Sequence, residues 1–230
     1  MYVLSAIQMR EVDRATIRGE GAPAVSGATL MANAAAAVAE RIERDFPAAL
    51  AGRIGILCGG GNNGGDGLVL ARLLGRRQVR VLPLLFAPAA KLRGDAAAAL
   101  AALERPPQEV LGPEAWAARR AEVLGCDLLV DALFGTGLVR PLQGWLGEVV
   151  ANLNREYRGP VVAVDMPSGL GADGEGPAEA PEAPVLRACA TVTFTAPKRA
   201  HFLSRHATAV GQLTVAPIGS PEALVGELAG

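Results

Sequence analysis

The segment IGILCGGGNNGGDG, residues 54–67, joins a short apolar run to a dense cluster of glycines. A brief apolar run that stops at glycines is typical of a buried strand in a parallel sheet. Immediately afterwards, Leu68, Ala71 and Leu74 recur at the spacing of a helix face. The segment therefore predicts a strand, a glycine-rich loop and a helix, which is the repeating unit of a parallel α/β fold.

The same alternation continues towards the C-terminus. Helical patterns separate further apolar runs, and this predicts a doubly wound, mostly parallel central sheet with helices on both faces. We therefore expect a Rossmann-like three-layer α/β/α sandwich, folded as a single domain over residues 1–230. The predicted strands lie at residues 79–86, 128–130, 161–164, 191–194 and 213–215, and the predicted helices at residues 95–103, 113–124 and 142–154.

Two helices are predicted before the first strand. Ser5 and Gln8 fit a capping box that begins a helix ending near Ile17. An apolar stripe with a spacing of four residues predicts the second helix, which should cover one face of the sheet. The members of that stripe are Leu30, Ala34, Val38, Ile42 and Phe46.

The charge balance narrows the class of partner. The formal net charge is −1 and no block of Lys or Arg is present, so neither a nucleic-acid footprint nor a membrane-surface patch is indicated. The sequence also shows no signal-peptide core and no apolar run of membrane-spanning length. We therefore expect a cytoplasmic protein whose ligand is a small molecule.

Two features are expected to carry no chemistry. Cys58, Cys126 and Cys189 are odd in number and widely spaced, which fits neither a disulfide framework nor a zinc site, so we expect packed thiols. Residues 171–184 are rich in Gly, Ala, Pro and Glu. That composition predicts an exposed, mobile excursion.

Polar, glycine-bearing turns follow three of the predicted strands, at residues 59–67, 131–137 and 165–169. Because the carboxyl ends of parallel strands share one edge of the sheet, these turns should meet there. Open α/β folds bind their ligands at that edge. We therefore expect the functional site where the three turns converge.

The glycine-rich loop suits a phosphate or pyrophosphate, because glycines let the backbone approach an anion and the following helix offers free amides. Gly59, Gly61 and Gly64 also match the G-x-G-x-x-G spacing of dinucleotide-binding enzymes, but residues 86–88 (FAP) lack the acid that this interpretation requires. A turn without a ligand is one alternative. A methyltransferase loop is another, although Cys58 stands where an acid is expected.

Hard oxygen donors accompany the loop. Asp131 and Asp165 each end a predicted strand, and either one alone could merely cap a turn. With the Asn63 amide and the Ser168 hydroxyl they offer only oxygen ligands, which suit an alkali or alkaline-earth cation rather than zinc. Lys198 follows another strand and either reaches the same edge or stays solvated.

A hydrolase is disfavoured by the surroundings of Ser168. This serine lacks the G-x-S-x-G elbow of a serine nucleophile, and only His201 and His206 could serve as its base. We expect both histidines to be surface or structural residues.

Four sequence blocks in order resemble the YjeF N-terminal domain family, and the resemblance runs over nearly the whole chain. The blocks are GNNGGDG at residues 61–67, VDALFGTGL at residues 130–138, DMPSG at residues 165–169, and TVTF at residues 191–194, which runs into Pro197 and Lys198. Leu30, Met31 and Asn33 also resemble the family's N-terminal helix motif.

Three positions depart from the family pattern. Ala32 and Ala35 stand where Glu and Gly are usual, and Cys189 stands where an Asp commonly precedes the last TVTF strand. These departures concern local packing or loop anchoring rather than the central site.

The resemblance implies an isomerase of nicotinamide nucleotide repair: an epimerase that interconverts the R and S forms of NADHX and NADPHX, the reduced cofactors hydrated at C6 of the nicotinamide ring. It also implies a homodimer with one K⁺ per subunit, held by Asn63, Asp131 and Ser168. The implied substrate-binding residues are Asn62, Asn63, Gly64, Gly65, Asp66, Gly135, Thr136, Gly137, Leu138, Val139, Arg140, Pro141 and Asp165.

The chemistry of that substrate suggests a mechanism. Protonation of the C6 hydroxyl lets water leave, the ring nitrogen forms a planar iminium, and water returning from the other face inverts the centre. Asp165 is our candidate for the catalytic general acid and base, because a carboxyl among turn dipoles beside a cation can be tuned for both steps. Lys198, if it reaches the site, would orient that carboxylate or the amide of the ring.

Many relatives carry a second domain that dehydrates the S epimer. This chain ends shortly after Ile218 and Gly219, so a separate NAD(P)HX dehydratase is the expected functional partner. The main alternative is a non-catalytic binding module within a protein or RNA assembly. The nearly neutral charge and the set Asp131, Asp165 and Lys198 argue against it.

Overall fold

The computed structural model describes residues 2–174 and 183–229, and within these ranges seven strands form one sheet. The strand order is β3-β2-β1-β4-β5-β6-β7, and every neighbouring pair is parallel. The prediction of a mostly parallel sheet is confirmed. The strands are β1 (Arg53–Cys58), β2 (Arg80–Leu85), β3 (Gln108–Glu109), β4 (Leu128–Ala132), β5 (Val161–Val164), β6 (Ala190–Phe194) and β7 (Gln212–Ala216).

The helices of the described ranges precede, connect and follow the strands. The α-helices are α1 (Ala6–Arg18), α2 (Gly27–Asp45), α3 (Asn62–Arg76), α4 (Gly94–Ala101), α5 (Pro113–Leu124), α6 (Gly144–Glu156), α7 (Ala207–Val210) and α8 (Glu222–Ala229). Short 3₁₀ helices cover Pro47–Ala51, Ala89–Lys91, Arg199–Phe202 and Ser204–His206. None of the described helices is long and apolar enough to cross a membrane.

Alternate side chains of the strands enter two separate hydrophobic cores. Ile54 and Ile56 of β1 pack into a core shared with α2, α3 and α4. Leu57 of β1 and Leu129 of β4 point to the opposite face and pack with α5 and α6. Since successive side chains of a strand face opposite sides, the sheet is covered on both faces, and the expected three-layer sandwich is confirmed.

The first helix is fixed at the carboxyl edge of the sheet. The capping box of α1 forms as expected, with Ser5 Oγ accepting from Gln8 N at 3.2 Å and Gln8 Oε1 accepting from Ser5 N at 2.9 Å. Leu4 N donates to Pro197 O at 3.0 Å beyond the end of β6. This bridge holds α1 beside the predicted site.

The segment after β5 differs from its prediction. Residues 171 and 172 are buried, Ala172 O accepts from Ala200 N at 3.0 Å, and Asp173 Oδ1 accepts from Ala6 N at 2.9 Å. The predicted exposed excursion is therefore wrong for residues 171–174, because Ala172 packs into a small apolar cluster with Met166 and the Asp173 side chain caps α1. Residues 175–182 lie outside the described residues, and residues 183–184 are half-buried.

Three smaller expectations also need correction. Asp131 and Ala132 belong to β4 rather than to a turn, because they stay paired with Leu57 and Cys58. The two-residue strand β3 was not expected, since it is too short to show a pattern. Cys58 and Cys126 are buried thiols as predicted, but Cys189 is exposed just before β6, so the expectation of a packed thiol is wrong there.

Candidate functional site

A cavity of about 440 Å³ opens at the carboxyl edge of the sheet. The strand order reverses between β1 and β4, and such switch points are where open α/β sheets bind ligands. Side chains of α1, α2 and α3 and the turns after β4 and β5 form its walls. The predicted site residues that line the cavity are Asn62, Asn63, Asp66, Gly135, Thr136, Gly137, Leu138, Asp165 and Lys198.

The remaining predicted residues lie behind or beside this wall. Gly64 and Gly65 are buried within α3, and Asp131 and Ser168 are buried beneath the turn that follows β4. The end of the loop at residues 139–141 does not line the cavity. Residue 138 closes a turn by donating its backbone N–H to Gly135 O at 3.2 Å, after which the chain leaves the cavity wall.

Asp165 and Lys198 form a buried ion pair at the cavity. Lys198 Nζ donates to Asp165 Oδ1 at 2.7 Å, to Thr193 Oγ1 at 2.8 Å and to Phe194 O at 3.2 Å. Thr193 Oγ1 donates in turn to Asp165 Oδ1 at 2.9 Å, and Thr136 N donates to Oδ2 at 3.1 Å. Lys198 is only 1% exposed, so it reaches the site and is not solvated.

This set of donors keeps Asp165 ionised. Burial by itself raises the pKa of Asp165, but the charge and hydrogen bond of Lys198, with smaller contributions from other partners, lower the pKa below its ordinary value. The Thr193 hydrogen bond acts in the same direction. An aspartate held as the anion beside a cavity is suited to accept a proton or to stabilise positive charge on a ligand.

The backbone of Asp165 is held in an unusual conformation. Its φ of 65° lies in the left-handed region, which Asp tolerates better than most residues. His201 Nδ1 accepts from Lys198 N at 3.0 Å, so His201 Nε2 carries the proton and donates to Asp165 O at 3.1 Å. The imidazole therefore ties the turn after β5 to the segment that carries Lys198.

His201 and His206 were expected to be either surface or structural residues. Both are buried, so they are not surface residues. Burial, assisted by the charge of Lys198, lowers the pKa of His201 to about 4. Burial also lowers the pKa of His206, with the charge of Arg205 acting in the same direction. His201 thus stays neutral near pH 7, as its two hydrogen bonds require.

Asp131 is buried in a different set of partners. Its Oδ1 accepts from Ser168 Oγ at 2.5 Å and from Leu133 N at 3.3 Å, and its Oδ2 accepts from Ser168 N at 2.7 Å. Ser168 Oγ also accepts from Phe134 N at 3.1 Å. Within residues 2–174 and 183–229 all these partners are neutral, and burial raises the pKa of Asp131 to about 6 despite them.

The turn after β4 passes between the side chains of Asn63 and Asp165. A Cβ atom on Gly135 would lie 2.9 Å from both Asn63 Oδ1 and Asp165 Oδ2, so a side chain there would displace one or both of these polar groups. The Asn63 amide nitrogen is buried and makes no hydrogen bond to the part of the chain that the structure describes. Asn63, the turn after β4 and Asp165 are therefore in close contact.

The N-terminus of α3 has the open amides that the glycine-rich loop predicts. Its N-cap, Gly61, provides no side-chain cap, and the first amides of a helix have no partner within the helix. A Cβ on Gly61 would meet no atom within 4 Å, whereas one on Gly64 would lie 1.8 Å from Gly59 O. The loop is thus tightly packed underneath and open where an anion would approach.

Four polar residues of the site were not predicted from the sequence: Arg10, Asp13 and Asp95, which line the cavity, and Thr193, which bonds Lys198 and Asp165. Asp13 of α1 lines the cavity together with Met9 and Ile17, which lie one turn before and after it. Thr193, which bridges Lys198 and Asp165, was seen only as part of a strand. The helical spacing of Met9, Asp13 and Ile17 was the available signal, but an acid on an amphipathic helix more often faces solvent.

Comparisons with known proteins show what the chain is similar to. A family model described as "YjeF-related protein N-terminus" matches residues 27–200. The chain is 41% identical over 223 residues to a Rhodobacter capsulatus protein named NAD(P)H-hydrate epimerase, covering 94% of this chain and 98% of that protein. It is 38% identical over 229 residues to a Moorella thermoacetica protein named bifunctional NAD(P)H-hydrate repair enzyme Nnr, covering 98% of this chain.

The coverage differs between these relatives. The chain spans 42% of the Moorella protein and 41% of a bifunctional repair enzyme from Thermanaerovibrio acidaminovorans, and thus about two fifths of their length. The crystal structure of the yeast protein YNL200c has the same fold, with a TM-score of 0.73 and 23% identity, covering 99% of this chain and 93% of that one.

Proposed function

The chain belongs to the family of YjeF-related protein N-termini, and from that membership we propose that it is an NAD(P)H-hydrate epimerase. Its reaction interconverts the R and S forms of NADHX and NADPHX at C6 of the nicotinamide ring. One observation carries the proposal: the buried pair of Asp165 and Lys198 lines a cavity that also receives the uncapped N-terminus of α3. A dinucleotide needs both an anion site and a site for its reactive ring.

The two ends of the cavity suit the two parts of such a substrate. Free amides at the start of α3, together with the helix dipole, favour a pyrophosphate at Asn62, Asn63 and Gly64. The reduced, hydrated ring then lies towards Asp165 and Lys198. Thr136, Gly137 and Leu138, which line the cavity after β4, would cover the substrate.

A potassium ion is part of the proposal, and the residues fit it. Asp131 is fully buried and, among the described residues, has only neutral hydrogen-bond partners. Asn63 and Ser168 add an amide and a hydroxyl oxygen, and such oxygen sets suit hard cations. We propose that Asn63, Asp131 and Ser168 hold one K⁺ per subunit. When bound, the ion supplies the positive charge that balances Asp131.

The proposed chemistry follows from the state of each residue. Asp165, kept as the anion by Lys198 and Thr193, accepts the proton of the water that adds to C6. Its negative charge also stabilises the positively charged iminium that forms when the hydroxyl leaves. Lys198 fixes the Asp165 carboxylate, and the His201 hydrogen bond fixes the backbone of the same turn.

The remaining parts of the proposal concern the partners and the setting. Equilibration of two epimers serves an enzyme that consumes only one of them, so the functional partner is a dehydratase specific for the S form. A homodimer, a cytoplasmic location and a single domain over residues 1–230 stay predictions from the sequence and its resemblance.

A coupled assay tests the proposed reaction. A mixture of NADHX epimers is supplied with an S-specific dehydratase, which leaves the R form to disappear only as fast as it epimerises. We expect this protein to accelerate the loss of the R form well above the spontaneous rate. We expect Asp165→Asn to lower that acceleration by about 10²–10⁴-fold, the usual contribution of a proton-transfer residue.

Asp45→Asn is the matched control, because Asp45 ends α2 and pairs with Arg41 away from the cavity. It should leave the rate unchanged. If the wild-type protein does not hasten loss of the R form, the enzyme proposal is wrong and the binding-module hypothesis takes its place. If Asp165→Asn reacts at the normal rate, Asp165 has no part in catalysis.

A further inference from the structure

Asp13 lies on the face of α1 that lines the cavity. The helix is fixed there from three sides: Leu4 N bonds Pro197 O, Asp173 caps Ala6 N, and Gln8 Nε2 donates to Leu228 O at 3.0 Å. Asp13 is therefore a fixed part of the site rather than a residue on a mobile arm.

The Asp13 carboxyl faces charged groups from several elements. Lys198 and Asp165, after β6 and β5, act on its charge. Asp66 of α3 lines the same cavity, and burial, with the charges of Asp165 and Asp13, raises the pKa of Asp66 well above its ordinary value. Asp95 of α4 and Arg10 of α1 line the same cavity. Within residues 2–174 and 183–229 no hydrogen bond contributes to its ionisation, and burial raises the pKa of Asp13 to about 6, with Lys198 opposing and Asp165 adding to the rise.

Asp13 and Asp165 are thus in opposite states. The carboxylate of Asp165 accepts hydrogen bonds from Lys198, Thr193 and Thr136 and is held as the anion, so it is a poor proton donor. The carboxyl of Asp13 has no such donor among the described residues and keeps its proton to a higher pH. Pairs of carboxyls whose environments separate their pKa values typically divide acid and base roles.

The proposed reaction needs two such roles. The C6 hydroxyl leaves from one face of the ring and must gain a proton, while water enters at the other face and must lose one. Because the leaving and entering groups lie on opposite faces, one carboxyl is badly placed to serve both. A second proton-transfer group on another wall of the cavity would fill the second role.

Resting on the proposed function, we propose that Asp13 is the second proton-transfer residue, which acts on the C6 hydroxyl while Asp165 acts on the entering water. In the R-to-S direction the C6–O bond breaks with its electron pair going to oxygen, which takes the Asp13 proton and leaves as water. The ring nitrogen forms the iminium. A second water bonds to C6, the iminium electrons return to nitrogen, and Asp165 takes the excess proton.

The balance of this cycle is one hydroxyl lost, one gained, and one proton moved from Asp13 to Asp165. The S-to-R direction begins from that product state, with Asp165 protonated and Asp13 ionised. Exchange with solvent restores the starting state. No oxidant, reductant or co-reactant other than water is required.

The test compares four variants in the coupled assay across pH about 5 to about 8. Asp13→Asn removes the acid, and Asp13→Glu keeps it. Glu11→Gln is the matched control, because Glu11 lies on the same helix, pairs with Arg14 and does not line the cavity at the carboxyl edge of the sheet. Asp66→Asn asks whether the neighbouring acid of α3 performs the role instead.

We expect Asp13→Asn to lower kcat by about 10²-fold or more while KM changes by less than about threefold. The wild-type kcat should fall as pH rises through about 6, because the acid form of Asp13 is lost. That decline should disappear in Asp13→Asn and return in Asp13→Glu together with part of the rate. Since Asp13 makes no side-chain hydrogen bond within the described ranges, the melting temperature of Asp13→Asn should equal or exceed that of the wild type.

The outcomes separate the two proposals. A wild-type protein without activity overturns the proposed function and this inference together. An active wild type with an unimpaired Asp13→Asn overturns the role of Asp13 alone. That role is also overturned if Asp13→Asn is slow but keeps the decline with rising pH, or if Asp66→Asn rather than Asp13→Asn removes that decline. If Asp13→Asn does not fold, the rate and pH profile of Asp13→Glu decide.

Discussion

Asp131 and Asp165 end neighbouring strands, β4 and β5, and both are buried, yet their carboxyls are balanced in different ways. Burial raises the pKa of each. At Asp165 the Lys198 ammonium, 2.7 Å away, reverses the effect and lowers the pKa. At Asp131 a hydroxyl and two backbone amides do not suffice, and the pKa stays at about 6.

This difference indicates separate roles for Asp165 and Asp131. Asp165, after β5, is paired with the positive charge of Lys198, after β6, so its carboxylate can face a substrate without an added ion. Asp131, in β4, is a buried acid whose hydrogen-bond partners among the described residues are all neutral, and the proposed cation would balance its charge. Because an unpaired buried charge is strongly unfavourable, the comparison makes different predictions for the two aspartates.

The largest effect is expected from Lys198→Met. It leaves Asp165 buried beside Thr193 without a counter-charge, and removal of one partner from a buried ion pair typically destabilises a protein by about 3–5 kcal/mol. Urea denaturation of the variant should show that loss. The double variant Lys198→Met/Asp165→Asn should regain most of it. A loss below about 1 kcal/mol, the value of a surface pair, would contradict a buried pair.

The next effect concerns His201, whose pKa is lowered to about 4, first by burial and then by Lys198. In the unfolded protein this residue is protonated below its ordinary pKa of about 6.5. In the folded protein it is protonated only when the pH falls to about 4. The stabilising contribution is thus full above about 6.5 and is lost as pH falls towards about 4, in total about 3 kcal/mol.

The measurement is the unfolding free energy of the wild type and of His201→Gln as a function of pH. Glutamine does not titrate, so the wild type should lose stability relative to this variant as the pH is lowered. Parallel curves for the two proteins would show that the imidazole is not buried as a neutral donor to Asp165.

The smallest of the three effects is specific to Asp131 of β4. K⁺ should raise the melting temperature above the value measured in tetramethylammonium chloride of equal ionic strength. At a hundredfold excess of K⁺ over its Kd, the free energy of unfolding should increase by about 2.7 kcal/mol. Asp131→Asn should lose this response, and Asp165→Asn should keep it. Equal responses of both variants would remove the distinction between the two aspartates.

Much of the fold could be predicted because periodicity reports burial directly. The strand of residues 54–58, the capping box at Ser5 and the helix at residues 113–124 all depend on local patterns that the structure keeps. The prediction for residues 171–174 was wrong because composition describes solubility, whereas Ala172 and Asp173 are fixed by contacts with residues distant in sequence.

The site was predictable where it depends on strand ends and not where it depends on tertiary contact. Three glycine-bearing turns indicated the edge, and Lys198 could be placed at the end of its strand. The sequence could not show that Lys198 reaches Asp165, that Thr193 lies between them, or that α1 brings Asp13 to the cavity. These relations depend on how α1 and the segments after β5 and β6 pack together.

The central claim is that this protein inverts C6 by loss and return of water, and one measurement tests it directly. Purified R-NADHX is incubated with the protein in ¹⁸O-labelled water. The S form is isolated at an early time point, and its ¹⁸O content is measured by mass spectrometry. The account predicts a protein-dependent S form that carries ¹⁸O at C6. An S form that keeps its original oxygen would show inversion by ring opening, and an S form produced no faster than without protein would show that the chain is not an epimerase.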